Sequence, residues 1–281
     1  MSIKIIEQKL KLYSISSEIE EMQALKEITQ EVILASLGRT DFFYQASFQG
    51  GTCLRIFHEL NRFSEDLDFT LLEQNPEFAW QKYLGQVKSD VASFGYDMEV
   101  TDRHETESPV RLAFLKDEAV GKILKLQYAG KTRMLEKIRI KLEIDTNPPS
   151  GGQNEVKYMD FPYLSRVTVQ NPATLFAGKI HALLCRNYVK GRDWYDFIWY
   201  TAQKTPVNYH YLEKALNQSG PWKNKTVHID RTWLHDALYQ KITSIDWIEA
   251  RKDVRRFIPV GEQGSIDFWN AEVFIQQLDK L

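Results

Sequence analysis

Apolar residues recur along this chain with two different periods. Met22, Leu25, Ile28, Val32 and Ala35 stand three or four apart between acidic positions, which predicts an amphipathic helix ended by Gly38. Its acidic side, Glu18, Glu20, Glu21, Glu27 and Glu31 against Lys26, reads as a solvated face that a basic partner protein could use. The aromatic run Phe42 to Phe48 reads as a strand, and Cys53, Ile56, Phe57 and Leu60 return to helical spacing. Pro76 to Gly95 predicts a helix carrying Phe78, Tyr83, Val87, Val91 and Phe94. Tyr96 to Val100, Val110 to Leu115, Lys122 to Tyr128 and Lys137 to Asp145 read as strands, with turns at Gly121 and Gly130. In the last of them Ile138, Ile140, Leu142 and Ile144 alternate with Arg139, Lys141, Glu143 and Asp145, so one face is core and the other fully charged.

Beyond Gly151-Gly152 the pattern is loop-like until Pro172, which places a domain boundary near residue 165. Leu175, Phe176, Ile180, Leu183 and Leu184 then form an apolar helical stripe, with Lys179 and Arg186 off it. Lys190-Gly191-Arg192-Asp193-Trp194-Tyr195-Asp196-Phe197 opens another helix through Trp199 and Tyr200, and Asp193 is a suitable cap for it. Tyr211 to Leu216, Trp233 to Ile242, Trp247 to Ile258 and Phe268 to Leu278 also read as helices. The expected class is α/β: a mixed sheet with flanking helices in residues 1–165, followed by a mainly helical domain in 166–281.

Length and charge narrow the partners. At 281 residues the chain can bury a sizeable core. A formal net charge of −2 excludes a uniformly basic nucleic-acid binder but permits local patches. One such patch is Arg111, Lys116, Lys122, Lys125, Lys131, Arg133, Lys137, Arg139 and Lys141, nine basic residues against three acidic ones between 111 and 141. It reads either as a lysine-defended sheet edge or as a groove for an RNA backbone. Arg251, Lys252, Arg255 and Arg256 form a second cluster, read as a solvated helix face. Cys53 and Cys185 lack Cys-x-x-Cys spacing, the six histidines lack ligand spacing, and no apolar run is long enough for a bilayer. A cytoplasmic protein without a membrane partner is expected.

The chemistry concentrates between residues 48 and 69. A strand entering Gly50-Gly51-Thr52 and leaving as a helix presents free N–H groups and a positive helix end to the turn, which suits a di- or triphosphate. A glycine pair alone is more often a simple turn. Asp66-Leu67-Asp68-Phe69 follows on the next apolar run, and with a period of two its carboxylates share one face while Leu67 and Phe69 enter the core. An isolated Asp-x-Asp reads as a polar strand face. After a glycine turn and helix it reads as a site for Mg²⁺ or Mn²⁺, which relieves the repulsion and holds nucleotide phosphates.

Gly50-Gly51-Thr52-x-Leu54-Arg55 followed by Arg62-Phe63-Ser64-Glu65-Asp66-Leu67-Asp68-Phe69 resembles the signature of the AbiEii/AbiGii toxin family of nucleotidyltransferases, within the DNA polymerase beta-like superfamily. The resemblance spans roughly residues 20 to 200. It implies a polymerase beta-like core with Asp66 and Asp68 as metal ligands and a third carboxylate from a neighbouring strand, Asp145 first and Glu143 second. It further implies that Gly50, Gly51, Thr52 and Ser64 hold the nucleotide, that Lys179 binds its triphosphate, and that Asp193 is needed at the active site, orienting Lys179 or the acceptor, with Asp196 structural. The activity implied is metal-dependent transfer of a nucleoside monophosphate from a nucleoside triphosphate, by the toxin of a toxin–antitoxin or phage-defence pair. The expected acceptor is a tRNA 3′ end, and a cognate antitoxin is the expected partner. A protein acceptor, or a catalytically silent nucleotide-binding module, are the alternatives.

Overall fold

The computed structural model describes residues 3–103, 108–117, 124, 126, 128, 137–225 and 227–281. Two compact units divide the chain, one of Met1–Phe57, Phe63–Pro148 and Val156–Val169, the other of His58–Arg62, Pro149–Glu155 and Gln170–Leu281.

The first unit is built on a seven-stranded mixed sheet. Its strands are β1 (Ala46–Gln49), β2 (Asp66–Leu71), β3 (Met98–Arg103), β4 (Val110–Asp117), β5 (Ile138–Asp145), β6 (Asn154–Met159) and β7 (Ser165–Gln170), in the spatial order β3-β4-β5-β2-β1-β7-β6. β2 runs antiparallel to β1 and parallel to β5, so the central strand is flanked by both kinds of ladder. Leu67, Phe69, Ile138, Ile140, Leu142 and Ile144 are all buried, as their alternation predicts. Because β7 pairs with β1 at Val169 and Phe48, the sheet runs past the boundary expected near residue 165.

Helices α1 (Lys4–Leu10), α2 (Glu18–Gly38), α3 (Phe42–Gln45), α4 (Gly50–Phe57) and α5 (Gln81–Ala92) complete the described part of this unit. α2 has the predicted core stripe and end, but the expectation of a solvated acidic face holds at Glu18 and is overturned at the other four glutamates. Glu20, Glu21, Glu27 and Glu31 are all buried, and each is occupied. Ser16 donates its N–H and hydroxyl to Glu20 at 2.8 and 2.6 Å, and the Tyr128 N–H donates to Glu21 at 2.8 Å. Tyr13 and Arg55 donate to Glu27 at 3.0 and 2.9 Å, while Lys9 pairs with Glu31 at 2.9 Å. The cover comes from α1 and the segment after it, too short for a periodic signal in the sequence, together with Arg55 of α4 and the Tyr128 main chain.

The aromatic run after α2 is also more broken than expected. Phe42–Gln45 is a helical turn, and only Ala46–Gln49 is strand. The turn seats Phe42 among Phe43, Phe69, Phe78, Trp80 and Tyr83, with centroids 5.0 to 6.4 Å apart, and this aromatic packing overrides the strand propensity of the run. The expected strand 122–128 and the turn glycines Gly121 and Gly130 lie outside the described residues, apart from Leu124, Leu126 and Tyr128.

The second unit is helical: α6 (Pro172–Cys185), α7 (Gly191–Ala202), α8 (Tyr209–Gln218), α9 (Arg231–Ser244), α10 (Trp247–Arg255), a 3₁₀ segment (Val260–Phe268) and α11 (Ala271–Leu278). Asn171, Asn208, Asp230 and Asn270 cap α6, α8, α9 and α11 by accepting an N–H three residues on, at 2.8 to 3.0 Å. Trp194, Trp247 and Phe274 form the aromatic heart of the unit, with Trp247 stacked on Phe274 at 4.1 Å. Arg251 and Arg255 of the second basic cluster are tied to Asp267, the former at 2.9 Å, so they brace the 3₁₀ segment. Among the described residues no helix is long and apolar enough to cross a membrane.

Candidate active site

β1 delivers the chain to Gly50, whose φ of +79° lies in the left-handed region that glycine enters without strain. The register pairs the preceding residue, Gln49, with Asp68, so the turn is built against that carboxylate. A Cβ placed on Gly50 would lie 3.0 Å from the Asp68 Cβ and closer still to its carboxylate. The absent side chain is therefore what lets the glycine turn and Asp68 meet. Asp66 is on the same face of β2, two residues earlier, and both aspartates are half-buried.

Thr52 is engaged by the backbone of the neighbouring strand. Its side chain is fully buried, and its hydroxyl donates to the main-chain carbonyl of Asp66 at 2.5 Å. That bond commits the hydroxyl to tying α4 to β2, leaving only main-chain N–H groups of the turn for a phosphate. Ser64 is half-buried, and its carbonyl accepts from Gln30 at 3.1 Å. The same Gln30 amide reaches the Glu65 carbonyl at 2.8 Å, so a buried side chain of α2 clamps the approach to Asp66.

Across the parallel ladder, Asp66 faces Lys141, Asp68 faces Glu143 and Thr70 faces Asp145. The carboxylate opposite Asp68 is thus Glu143, the second choice from sequence, while Asp145 stands two residues further along. Burial pushes the Asp145 carboxyl up, against a lowering hydrogen bond from the Asn147 N–H at 2.9 Å. Glu143 pairs with Lys141 at 2.6 Å. Burial weighs against the Lys141 ammonium, but Glu143, Asp66 and Asp68 outweigh it and hold its pKa above the usual lysine value. Among the described residues no group of three or more His, Cys, Asp or Glu side chains is gathered closely enough to hold a metal ion, with Asp145 or with Glu143.

The second unit gathers the other predicted residues into one buried charge network. Lys179 of α6 lies 2.7 Å from both Asp193 and Asp196 of α7. Arg186 also pairs with Asp193, and Arg62 grips Asp196 through two bonds of 2.6 and 2.7 Å. Asp193 is not the helix cap: α7 begins at Gly191, and the Asp193 carboxylate points to these cations from within the first turn. Burial pushes Asp193 up, yet Lys179, Arg186 and Lys190 together hold it down at about 2. Asp196 is likewise lowered against burial by Arg62 and Lys179. Lys179 is raised, since Asp193 and Asp196 overcome its desolvation.

The basic strand patch is only partly a surface. Arg111 is buried and donates to the carbonyls of Ser108 and of Pro76, the latter at 3.0 Å, and Arg139 lies over the Phe114 ring at 4.3 Å. Lys122, Lys125, Lys131 and Arg133 fall outside the described residues. Sequence reading gave Arg62, Lys141 and Gln30 no role in the site. Lys141 was legible from its alternation with Glu143 and Asp145, whereas Arg62 meets Asp196 across 134 positions, with no local signal.

Comparison with known proteins bears on this geometry. A family model described as "Nucleotidyl transferase AbiEii toxin, Type IV TA system" matches residues 32–273, well into the part of the chain that periodicity alone had described. The structure is similar to that of JHP933 from Helicobacter pylori, with a TM-score of 0.52, 20% identity and coverage of 95% of this chain and 96% of that one. It is also similar to a candidate nucleotidyltransferase from H. pylori, with a TM-score of 0.51, 19% identity and coverage of 91% and 95%. No curated protein matches the sequence.

Proposed function

The chain belongs to the AbiEii nucleotidyl transferase toxin family of type IV toxin–antitoxin systems, and from that premise we propose that it transfers a nucleoside monophosphate from a nucleoside triphosphate to an acceptor hydroxyl, releasing pyrophosphate. The observation that carries this reading is the contact of Gly50 with Asp68, with Asp66 beside it on the same strand face.

The donor set fits Mg²⁺ or Mn²⁺: Asp66 and Asp68 offer hard oxygen ligands on a rigid strand, and Gly50 leaves their approach open. Such an ion, when bound, supplies charge neutralisation for the triphosphate and a lowered pKa for the acceptor hydroxyl. Asp145 is the proposed third carboxylate, with Glu143, which stands opposite Asp68 and is paired to Lys141, second. Main-chain N–H groups at Gly50 and Gly51 donate to phosphate oxygens, helped by the positive end of α4. By family analogy Lys179 is the triphosphate ligand, and Asp193, 2.7 Å away, fixes its ammonium. Arg62, Lys179 and Arg186 exceed the two aspartates they touch by one positive charge, which favours an anion.

The acceptor we propose is the 3′ end of tRNA, in the cytoplasm, opposed by a cognate antitoxin. Incubation of purified protein with each labelled nucleoside triphosphate, Mg²⁺ and total RNA tests it. Label is expected in the tRNA fraction with at least one nucleotide. Label in protein instead would move the acceptor, and no transfer with any nucleotide would refute the activity.

A further inference from the structure

The face of the sheet that carries Asp66 and Asp68 also carries a lysine. Lys141 is the parallel partner of Asp66, Glu143 is the partner of Asp68, and the Lys141 ammonium lies 2.6 Å from the Glu143 carboxylate. Three carboxylates and one ammonium thus occupy adjacent positions on two paired strands. We propose that Lys141 is a built-in countercharge that sets the affinity of Asp66 and Asp68 for a divalent cation, by neutralising Glu143 and keeping it from acting as a full third ligand. The inference rests on the reading of Asp66 and Asp68 as metal ligands. The consequence is a metal site of moderate strength, suited to an ion that arrives and leaves with a nucleotide.

The test is Mn²⁺ binding to the full chain without nucleotide, read by electron paramagnetic resonance. Lys141→Met removes the countercharge and is expected to bind Mn²⁺ about tenfold more tightly than wild type, the size of one nearby unit charge. Lys141→Arg keeps the charge and is expected to bind like wild type. If Lys141→Met does not fold, Lys141→Gln carries the same expectation as a polar replacement. Binding by the neutral variants no tighter than wild type overturns the proposal, as does equal tightening in Lys141→Arg, which would assign the effect to packing. Absence of nucleotide transfer by wild type would count against the activity and leave this binding result standing.

Discussion

At the scale of single residues, the site depends on one missing side chain. Gly50→Ala must both hold a left-handed φ and place a methyl group against the Asp68 carboxylate. The expected cost is about 1–3 kcal/mol of stability together with loss of most nucleotide-dependent activity, checked by thermal melting and by kcat/KM. Thr52 makes the opposite prediction. Its hydroxyl serves the Asp66 carbonyl, so Thr52→Val should lower stability by about 1 kcal/mol while nucleotide KM stays close to wild type. A large rise in KM with unchanged stability would restore the phosphate-binding role that the sequence suggested. The two roles look alike in sequence because a hydroxyl beside a glycine turn can point to ligand or to backbone.

At the scale of elements, buried charge does the joining. Arg62 and Asp196 are almost wholly buried and bidentate, so Arg62→Ala leaves the buried Asp196 with Lys179 alone and should cost about 3 kcal/mol, measured by denaturant unfolding. The double variant Arg62→Met, Asp196→Leu should recover part of that loss, which separates the pair's stability role from any role in transfer. α1 is held to α2 by Lys9 and Glu31. Burial raises the Glu31 carboxyl to about 7, against the lowering effect of Lys9. A folded pKa above the unfolded one means this group favours folding at low pH, and stability falls as pH rises from about 4.5 through 7. Glu31→Gln should flatten that slope of melting temperature against pH. The acidic face of α2 looked solvated because helical periodicity reports which side is apolar, and says nothing of a short helix laid over the other side.

At the scale of the whole molecule, the strong repeating patterns were legible and the long-range pairings were not. The core stripe of α2, the alternation in β5, the strand β2 and the capped helices beyond Pro172 were all visible, because each is set by residues within one turn or one strand. The meeting of Gly50 with Asp68 followed from the glycine turn and the Asp-x-Asp run, since a short antiparallel pairing joins them. Which of Glu143 and Asp145 stands opposite Asp68 was not visible, because a shift of two positions along β5 preserves the face and changes only the register. The charge network of the second unit was half visible: Lys179 and Asp193 were named from resemblance, Arg186 lies only seven residues before Asp193, and Arg62 entered through a contact 134 positions away. Comparison then extended the family assignment to residue 273, beyond the motifs.

The central claim is that Asp66 and Asp68, beside the Gly50 turn, carry the transfer. Pyrophosphate release from labelled nucleoside triphosphate in the presence of Mg²⁺ and total RNA, compared between wild type and Asp68→Asn at matched melting temperature, tests it most directly. The account predicts release by wild type that tracks label incorporation, and a drop of about a thousandfold or more in the variant. Equal release from Asp68→Asn, or none from wild type, would contradict it.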